Sequence, residues 1–218
     1  MPDLKKDKII SLFLAVIGIF FIGTGVAFNA AAALGNDPIG IMYDGIRNAA
    51  DFSPEQLGLA SNIVNISLAV IVLLQNRHYI SIGTLIYIIP YGAIVDMGRK
   101  VYYALFKMQT LSVQVIGAAL GCMLLYLGVA MYIVADIGLD PFTGIVMVLR
   151  DKCKKEYKLV KICFDVVCVF IGFVLGGKLG VITIITAVTA GPMIQIFTDY
   201  IRVGLKRLLD RSSNKYKK

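Results

Sequence analysis

The chain has 218 residues, of which 58% are apolar, and its mean hydropathy is +0.78. Soluble domains are about 45–50% apolar because their surface must face water, so this composition excludes an ordinary soluble domain. The net charge of +8 comes from basic residues in short loops and tails between apolar runs. That arrangement marks membrane topology and argues against nucleic-acid binding. We therefore expect one membrane domain over residues 1–218.

Six apolar runs are long enough to cross the hydrocarbon core of a bilayer, which takes about 20 residues of helix. In chain order they cover residues 9–34, 55–75, 80–106, 111–137, 157–176 and 179–204. The first run is longer than the roughly 7–15 apolar residues of a secretory signal, so it belongs to the fold. The predicted fold class is an all-α integral membrane protein with six transmembrane helices.

The distribution of Lys and Arg predicts which side of the membrane each loop faces. If the N-terminus is cytoplasmic, 17 of the 22 Lys and Arg residues fall on the inner side, as the positive-inside rule requires. The outer side then holds Arg47, Arg99, Lys100, Lys107 and Lys178. We expect a multi-pass protein of the cytoplasmic membrane with both termini in the cytoplasm.

The chain repeats itself at an offset of 103 residues. Residues 25–38 read Gly-Val-Ala-Phe-Asn-Ala-Ala-Ala-Ala-Leu-Gly-Asn-Asp-Pro, and residues 128–141 read Gly-Val-Ala-Met-Tyr-Ile-Val-Ala-Asp-Ile-Gly-Leu-Asp-Pro. Each copy, about 9–107 and about 111–210, holds three spans, and an odd number inverts the second copy relative to the first. Inverted repeats of this kind are typical of secondary transporters.

Each copy of Gly-x-Asp-Pro predicts a break between two helices. Gly35 and Gly138 can end a helix, because glycine tolerates the left-handed backbone found there. Asp37 and Asp140 are N-cap residues, each followed by a proline at the first helical position, so a short helix should begin at each. Two interpretations stay open. Either the carboxylates only cap these helices, or the broken helices expose them to a solute or an ion.

Polar side chains inside the spans are further candidates. Asp165 lies in the fifth span with Lys161 one turn earlier, so we expect it to be buried and polar-paired, either as a structural ion pair or as a binding group. Asn62 and Asn65 either bind a solute or hold helices together by hydrogen bonds. The candidate substrate-binding residues are Asp37, Asp140, Asn62, Asn65, Asp165, Gly35 and Gly138.

Catalytic and cofactor motifs are absent from the sequence. It has no Walker A loop, no nucleophile–base arrangement, and a single histidine, His78, without a second metal ligand near it. We expect no enzyme activity, no cofactor and no metal site.

The two Gly-x-Asp-Pro motifs at 34–38 and 137–141, each preceded by Gly-Val-Ala, also carry a family resemblance. Together with the length, the number of spans and the basic C-terminal tail, they make almost the whole chain similar to the bacterial YczE/YyaS/YitT group of small multi-span membrane proteins. The resemblance implies a protein of the bacterial inner membrane. That group is tied to transport and to secondary-metabolite production, and it supplies no residue of known function.

The main functional hypothesis is a small-solute or ion transporter with its binding site between the repeats. Two alternatives stay open: a substrate-binding membrane subunit of a multi-component, ATP-driven uptake system, and a membrane accessory protein that transports nothing. The expected partners are the lipid bilayer and an unknown small solute or ion. A homodimer or a partner subunit is left open.

Overall fold

The computed structural model describes residues 8–215, with side chains for 8–207, and this part is helical without any strand. Its eight α-helices are α1 (Lys8–Ala32), α2 (Pro38–Ala49), α3 (Leu57–Asn76), α4 (Ile82–Leu105), α5 (Leu111–Ala135), α6 (Pro141–Cys153), α7 (Tyr157–Val174) and α8 (Val181–Lys215). Some of the basic residues expected to mark the cytoplasmic side, namely Lys5, Lys6 and all of those after position 207, lie outside the described side chains.

Each of the six predicted spans forms one helix, and the two Gly-x-Asp-Pro motifs begin the two short helices α2 and α6. Within the described residues, four stretches are long and apolar enough to cross a membrane: Lys8–Ala32, Pro54–Tyr79, Leu111–Ala135 and Val181–Arg207. The other two long helices, α4 and α7, carry three charged residues each. The six predicted helices are therefore confirmed as helices. Their length and composition support four of the six as membrane spans.

The outward-facing surface of the helices is apolar, on α4 and α7 as well as on the four candidate spans. Ile89 of α4 is 75% exposed, and Phe170 of α7 is 66% exposed. Soluble proteins rarely expose apolar surface on this scale, whereas a lipid environment covers it at no cost. The protein is a multi-pass membrane protein.

Helices α1 and α5 form the centre of the bundle and cross at their glycines. A Cβ atom at Gly25 would lie 2.6 Å from the backbone oxygen of Gly121, and one at Gly18 would lie 2.8 Å from that of Gly128. In lipid no hydrophobic driving force brings helices together. Small residues let the backbones of membrane helices approach closely, so that van der Waals packing holds them together instead. The matching positions of glycine along α1 and α5 therefore bring the two backbones into direct contact.

The short helices pack against the partner half of the chain. Helix α2 lies along α7, with Gly45 against Gly172, and helix α6 lies along α3, with Gly144 against Val72. Helices α2 and α6 also meet each other, because the rings of Tyr43 and Phe142 contact edge to face with centroids 5.7 Å apart. The two short helices thus reach the interior of the bundle from opposite ends.

Polar contacts gather at the two ends of α3, which at 20 residues is about 30 Å long. At one end, Arg47 donates to the carbonyl of Phe52. At the other, Tyr79 donates to Asp151. The loops therefore fall into two groups on opposite ends of the molecule, as the span order predicts.

Candidate functional site

Both Gly-x-Asp-Pro motifs form the predicted turn followed by a capped helix. Gly35 has φ +102° and Gly138 has φ +147°, which L-residues rarely adopt. Asp37 caps α2 and Asp140 caps α6. A Cβ at Gly35 would also lie 2.7 Å from the amide nitrogen of Gly180. The glycines are explained by the turn and by close packing, without any contact to a solute.

Asp140 uses both carboxylate oxygens within its own motif. Its Oδ1 accepts hydrogen bonds from the amides of Phe142 and Thr143, both at 3.0 Å. Its Oδ2 accepts from the hydroxyl of Thr143 at 2.5 Å. This carboxylate is fully engaged as a helix cap.

Asp37 occupies the equivalent position but is only partly engaged. Its Oδ2 accepts a single long hydrogen bond, 3.3 Å from the amide of Ile39. Its Oδ1 is buried and accepts no hydrogen bond of ordinary geometry from the described residues, although the backbone N–H of Gly40 lies near the carboxylate. Gly40 stands where the second copy has Thr143, so the first copy lacks the hydroxyl that would occupy this oxygen.

Asp37 also lies deep in the bundle. Helix α2 has 12 residues, so its N-terminus is about 18 Å along the helix axis from its C-terminal end. At that end Asn48 donates to the carbonyl of Gly176 at 3.1 Å. The charges that act on Asp37 are those of Lys161 and Asp165 on α7. A carboxylate oxygen without a partner therefore faces the interior, near a second carboxylate and an ammonium group.

The remaining predicted site residues make structural contacts. Asp165 forms an ion pair with Lys161, as predicted, and is half-buried. Asn62 accepts from the amide of Gly92 on α4 at 3.0 Å. Asn65 accepts from the hydroxyl of Tyr43 on α2 at 3.2 Å. The two asparagines link α3 to α4 and to α2, as expected of interhelical hydrogen bonds.

Sequence reasoning missed a cluster of buried tyrosines next to this region. Tyr87 and Tyr91 stack with centroids 4.9 Å apart, Tyr43 lies 5.9 Å from Tyr91, and Tyr132 lies 5.5 Å from Tyr87. These residues come from α2, α4 and α5, so no spacing within one segment of the sequence predicts the cluster. At the 103-residue offset, Tyr132 corresponds to Asn29, so the aromatic side chain that α5 contributes has no aromatic counterpart on α1.

No group of three or more His, Cys, Asp and Glu side chains that could hold a metal ion occurs within residues 8–207. The chemistry available at the site is therefore that of the Asp37 carboxylate, the Lys161–Asp165 pair and the surrounding hydroxyl and amide groups.

Comparison with known proteins finds one family and two relatives. Residues 9–199 match the family described as "Family of unknown function (DUF6198)". A Haemophilus influenzae protein named "Uncharacterized protein" is 24% identical over 194 residues, covering 89% of this chain and 85% of that protein. The "Uncharacterized membrane protein YczE" of Bacillus subtilis is 27% identical over 118 residues, 54% of each chain. These matches confirm the predicted YczE-like resemblance. No solved structure matches the chain.

Proposed function

The chain belongs to the DUF6198 family, and from that premise we propose that it is a small-solute or ion transporter whose binding site lies between two inverted repeats, with Asp37 at its centre. The observation that carries the proposal is the difference between the two capping aspartates. Asp140 satisfies both of its oxygens inside its own motif, whereas Asp37 keeps a buried oxygen free.

A buried acceptor without a partner costs about 1–3 kcal/mol, so a structure that keeps one calls for an explanation. A helix cap does not require this cost, because Asp140 caps an equivalent helix with both oxygens engaged. At Asp37, a bound proton, a bound cation or a hydrogen-bond donor of a bound solute would remove the cost of the unpaired oxygen. The free oxygen of Asp37 is what we expect of a site that fills and empties during transport.

Symmetric contacts support the inverted repeat. The pair Gly18–Gly128 becomes the pair Gly121–Gly25 when each residue is replaced by its counterpart 103 positions away. In the same way, the packing of α2 on α7 corresponds to that of α6 on α3. A two-fold axis through the α1–α5 crossing relates both pairs of contacts. An axis of this kind lies in the membrane plane of inverted-repeat transporters.

The positions of their charges support α4 and α7 as two further spans, which brings the number of spans to six. On α4, Asp96 accepts from the amide of Gly58 at 2.7 Å and so caps the start of α3. On α7, Lys161 and Asp165 neutralise each other. Charges that are paired or that satisfy a helix end are tolerated at membrane depth. The exposed side chains around them are apolar, as lipid requires.

The two halves differ in how tightly they close. Helix α3 packs along α4, but its counterpart α7 hardly touches α8 within the described residues. The less tightly packed pair of helices includes α7, which lies along α2, the helix that Asp37 begins. Loose packing beside a central site favours transport over a purely structural role.

The proposed orientation has both termini in the cytoplasm of a bacterial inner membrane. It rests on the excess of Lys and Arg in the segments assigned to the inner side. With this orientation, the end of the molecule that carries Arg47 and Lys178 faces outward.

The experiment uses the purified full chain in liposomes, without any ATPase. Proteoliposomes on a solid-supported membrane are exposed to pools of small solutes and ions grouped by charge, and the transient currents are recorded. A current that needs the protein supports a transporter that works alone. Currents that appear only after addition of a co-purified ATPase would favour the subunit hypothesis, and no current or uptake in any pool would contradict transport.

A further inference from the structure

A cavity of about 100 Å³ lies next to the Asp37 region, at the end of the molecule that carries Lys178. Its polar lining residues come from α1, the α1–α2 turn, α2, α4 and the α7–α8 turn: Asn29, Asn36, Asp44, Arg47, Arg99 and Lys178. The cavity opens to solvent, and a space of this size holds several water molecules. It has room for a phosphate or carboxylate group.

The cavity has an excess of positive charge. The one carboxylate in its lining, Asp44, is already engaged, because it accepts from Arg47 Nε at 3.0 Å and from the backbone amide of Lys178 at 3.1 Å. For the side chains of Arg99 and Lys178, no carboxylate lies within 4.0 Å in the part of the chain that the structure describes. Two cationic groups of the lining therefore lack a direct ion pair, and Arg99 has only the more distant carboxylates of Asp96 and Glu55 near it.

Two buried donors in the lining also lack an acceptor among the described residues: Nε of Arg99 and Nδ2 of Asn29. The Asn29 side chain is fully buried, at 0% exposure, and its Oδ1 accepts from the thiol of Cys122. The Arg99 guanidinium is held by Tyr103, to whose hydroxyl it donates at 3.2 Å while lying 5.2 Å from the ring centroid. Both donors are thus fixed in place, and they belong to residues that line the cavity, although the two atoms themselves have almost no accessible surface.

We propose that this cavity, the anion vestibule, binds a small oxyanion through Arg99, Asn29 and Lys178. A guanidinium matches the planar or tetrahedral oxygens of carboxylate and phosphate better than any other side chain does. A bound anion would compensate the excess charge, and small shifts of the Arg99 and Asn29 side chains would bring their orphan donors to its oxygens.

The vestibule lies close in the fold to the proposed transport site. Asn36 borders the cavity and accepts the backbone N–H of the next residue, Asp37, at 2.9 Å. The role of the vestibule in collecting a transported solute rests on the proposed function. Anion binding itself does not, and it can be measured without transport.

Binding is tested with the full-length protein in nanodiscs by isothermal titration with phosphate, acetate and chloride in separate runs. We expect the wild type to bind phosphate or acetate, and Arg99→Gln to bind at least about tenfold more weakly, as loss of a charged hydrogen bond implies. The matched control is Lys100→Gln, which removes the neighbouring, exposed cation outside the lining and should bind like wild type.

Two further variants keep the test decisive if Arg99→Gln does not fold. Lys178→Gln changes an exposed side chain of the lining, and Asn29→Asp replaces the free donor by an acceptor; both should weaken binding. Asp37→Asn should bind the anion like wild type, so loss of transport in that variant would not be confused with loss of the vestibule. Absence of oxyanion binding to the wild type, binding of chloride alone, or equal affinity of all the lining variants would overturn the proposal.

Discussion

Asp37 and Asp140 both begin a short helix, and the residue three positions later decides what else each carboxylate can do. The hydroxyl of Thr143 donates to Asp140, whereas Gly40 has no side chain and can offer Asp37 only its backbone N–H. A side chain at position 40 has no room, since a Cβ there would overlap the amide of Asn36. The difference between a pure cap and an open carboxylate is therefore fixed by local packing.

Replacing Thr143 by valine should leave Asp140 with an unsatisfied oxygen, as Asp37 has now. Valine keeps the shape of threonine and removes the hydroxyl, so we expect a loss of about 1–3 kcal/mol in the free energy of unfolding. Unfolding in mixed micelles titrated with SDS measures it. Thr143→Ser keeps the hydroxyl and should stay close to wild type. Equal stability of Thr143→Val and wild type would show that this hydrogen bond contributes nothing.

Part of this site could be read from the sequence. The capping roles of Asp37 and Asp140 follow from Gly-x-Asp-Pro chemistry, and the free oxygen of Asp37 could have been inferred by aligning Gly40 with Thr143 at the 103-residue offset. Asn29 and Arg99 could not be found, because their free donors depend on how α1, α4 and α5 pack.

At the scale of helices, the α1–α5 crossing requires glycine at its contact points. The backbones touch where Gly25 meets Gly121 and where Gly18 meets Gly128. Each of these contacts joins the first helix of one half to the first helix of the other. The crossing is therefore the place where the two halves of the chain are joined most closely.

Gly25→Val and Gly128→Val should both destabilise the fold, because the new side chain would meet backbone atoms that cannot move aside. We expect a loss of about 1–3 kcal/mol or more in each variant, measured by SDS unfolding. Gly204→Ala is the matched control, since nothing lies within 4 Å of a Cβ at that position of α8. It should be neutral or stabilising by up to about 1 kcal/mol. Similar losses in all three variants would contradict the close crossing.

Helix positions were predictable from hydropathy to within a few residues, as the predicted run 111–137 and the observed helix Leu111–Ala135 illustrate. The predicted run 179–204 ends earlier than the observed helix Val181–Lys215, because charged residues after 204 end an apolar run without ending a helix. Hydropathy also cannot tell that Asp96 of α4 caps the start of α3 or that Lys161 and Asp165 of α7 pair with each other, which is known only from the packing.

At the scale of the whole molecule, the loops lie at two opposite ends. One end carries Arg47, Lys178 and the anion vestibule, and the other carries Tyr79 and Asp151. The sequence predicted this division from the order of the spans, and the distribution of basic residues gives the proposed sidedness.

Cysteine labelling tests that sidedness. Cys153 is exposed at the end of α6, so one variant keeps it as the only cysteine and a second carries Lys178→Cys alone. A membrane-impermeant maleimide should label position 178 in intact cells, and position 153 only after the membrane is opened. Reversed labelling would invert the orientation, and labelling of both positions from outside would contradict the proposed spans.

The central claim is that Asp37 binds what is transported while Asp140 only caps a helix. The most direct measurement compares Asp37→Ser and Asp140→Ser, because serine can replace aspartate as a cap at little cost in stability. Both purified variants are assayed in liposomes with the pool of solutes that gives a current with wild type, after SDS unfolding has shown that both are folded. We predict that Asp140→Ser transports and Asp37→Ser does not. Wild-type transport by Asp37→Ser would contradict the account.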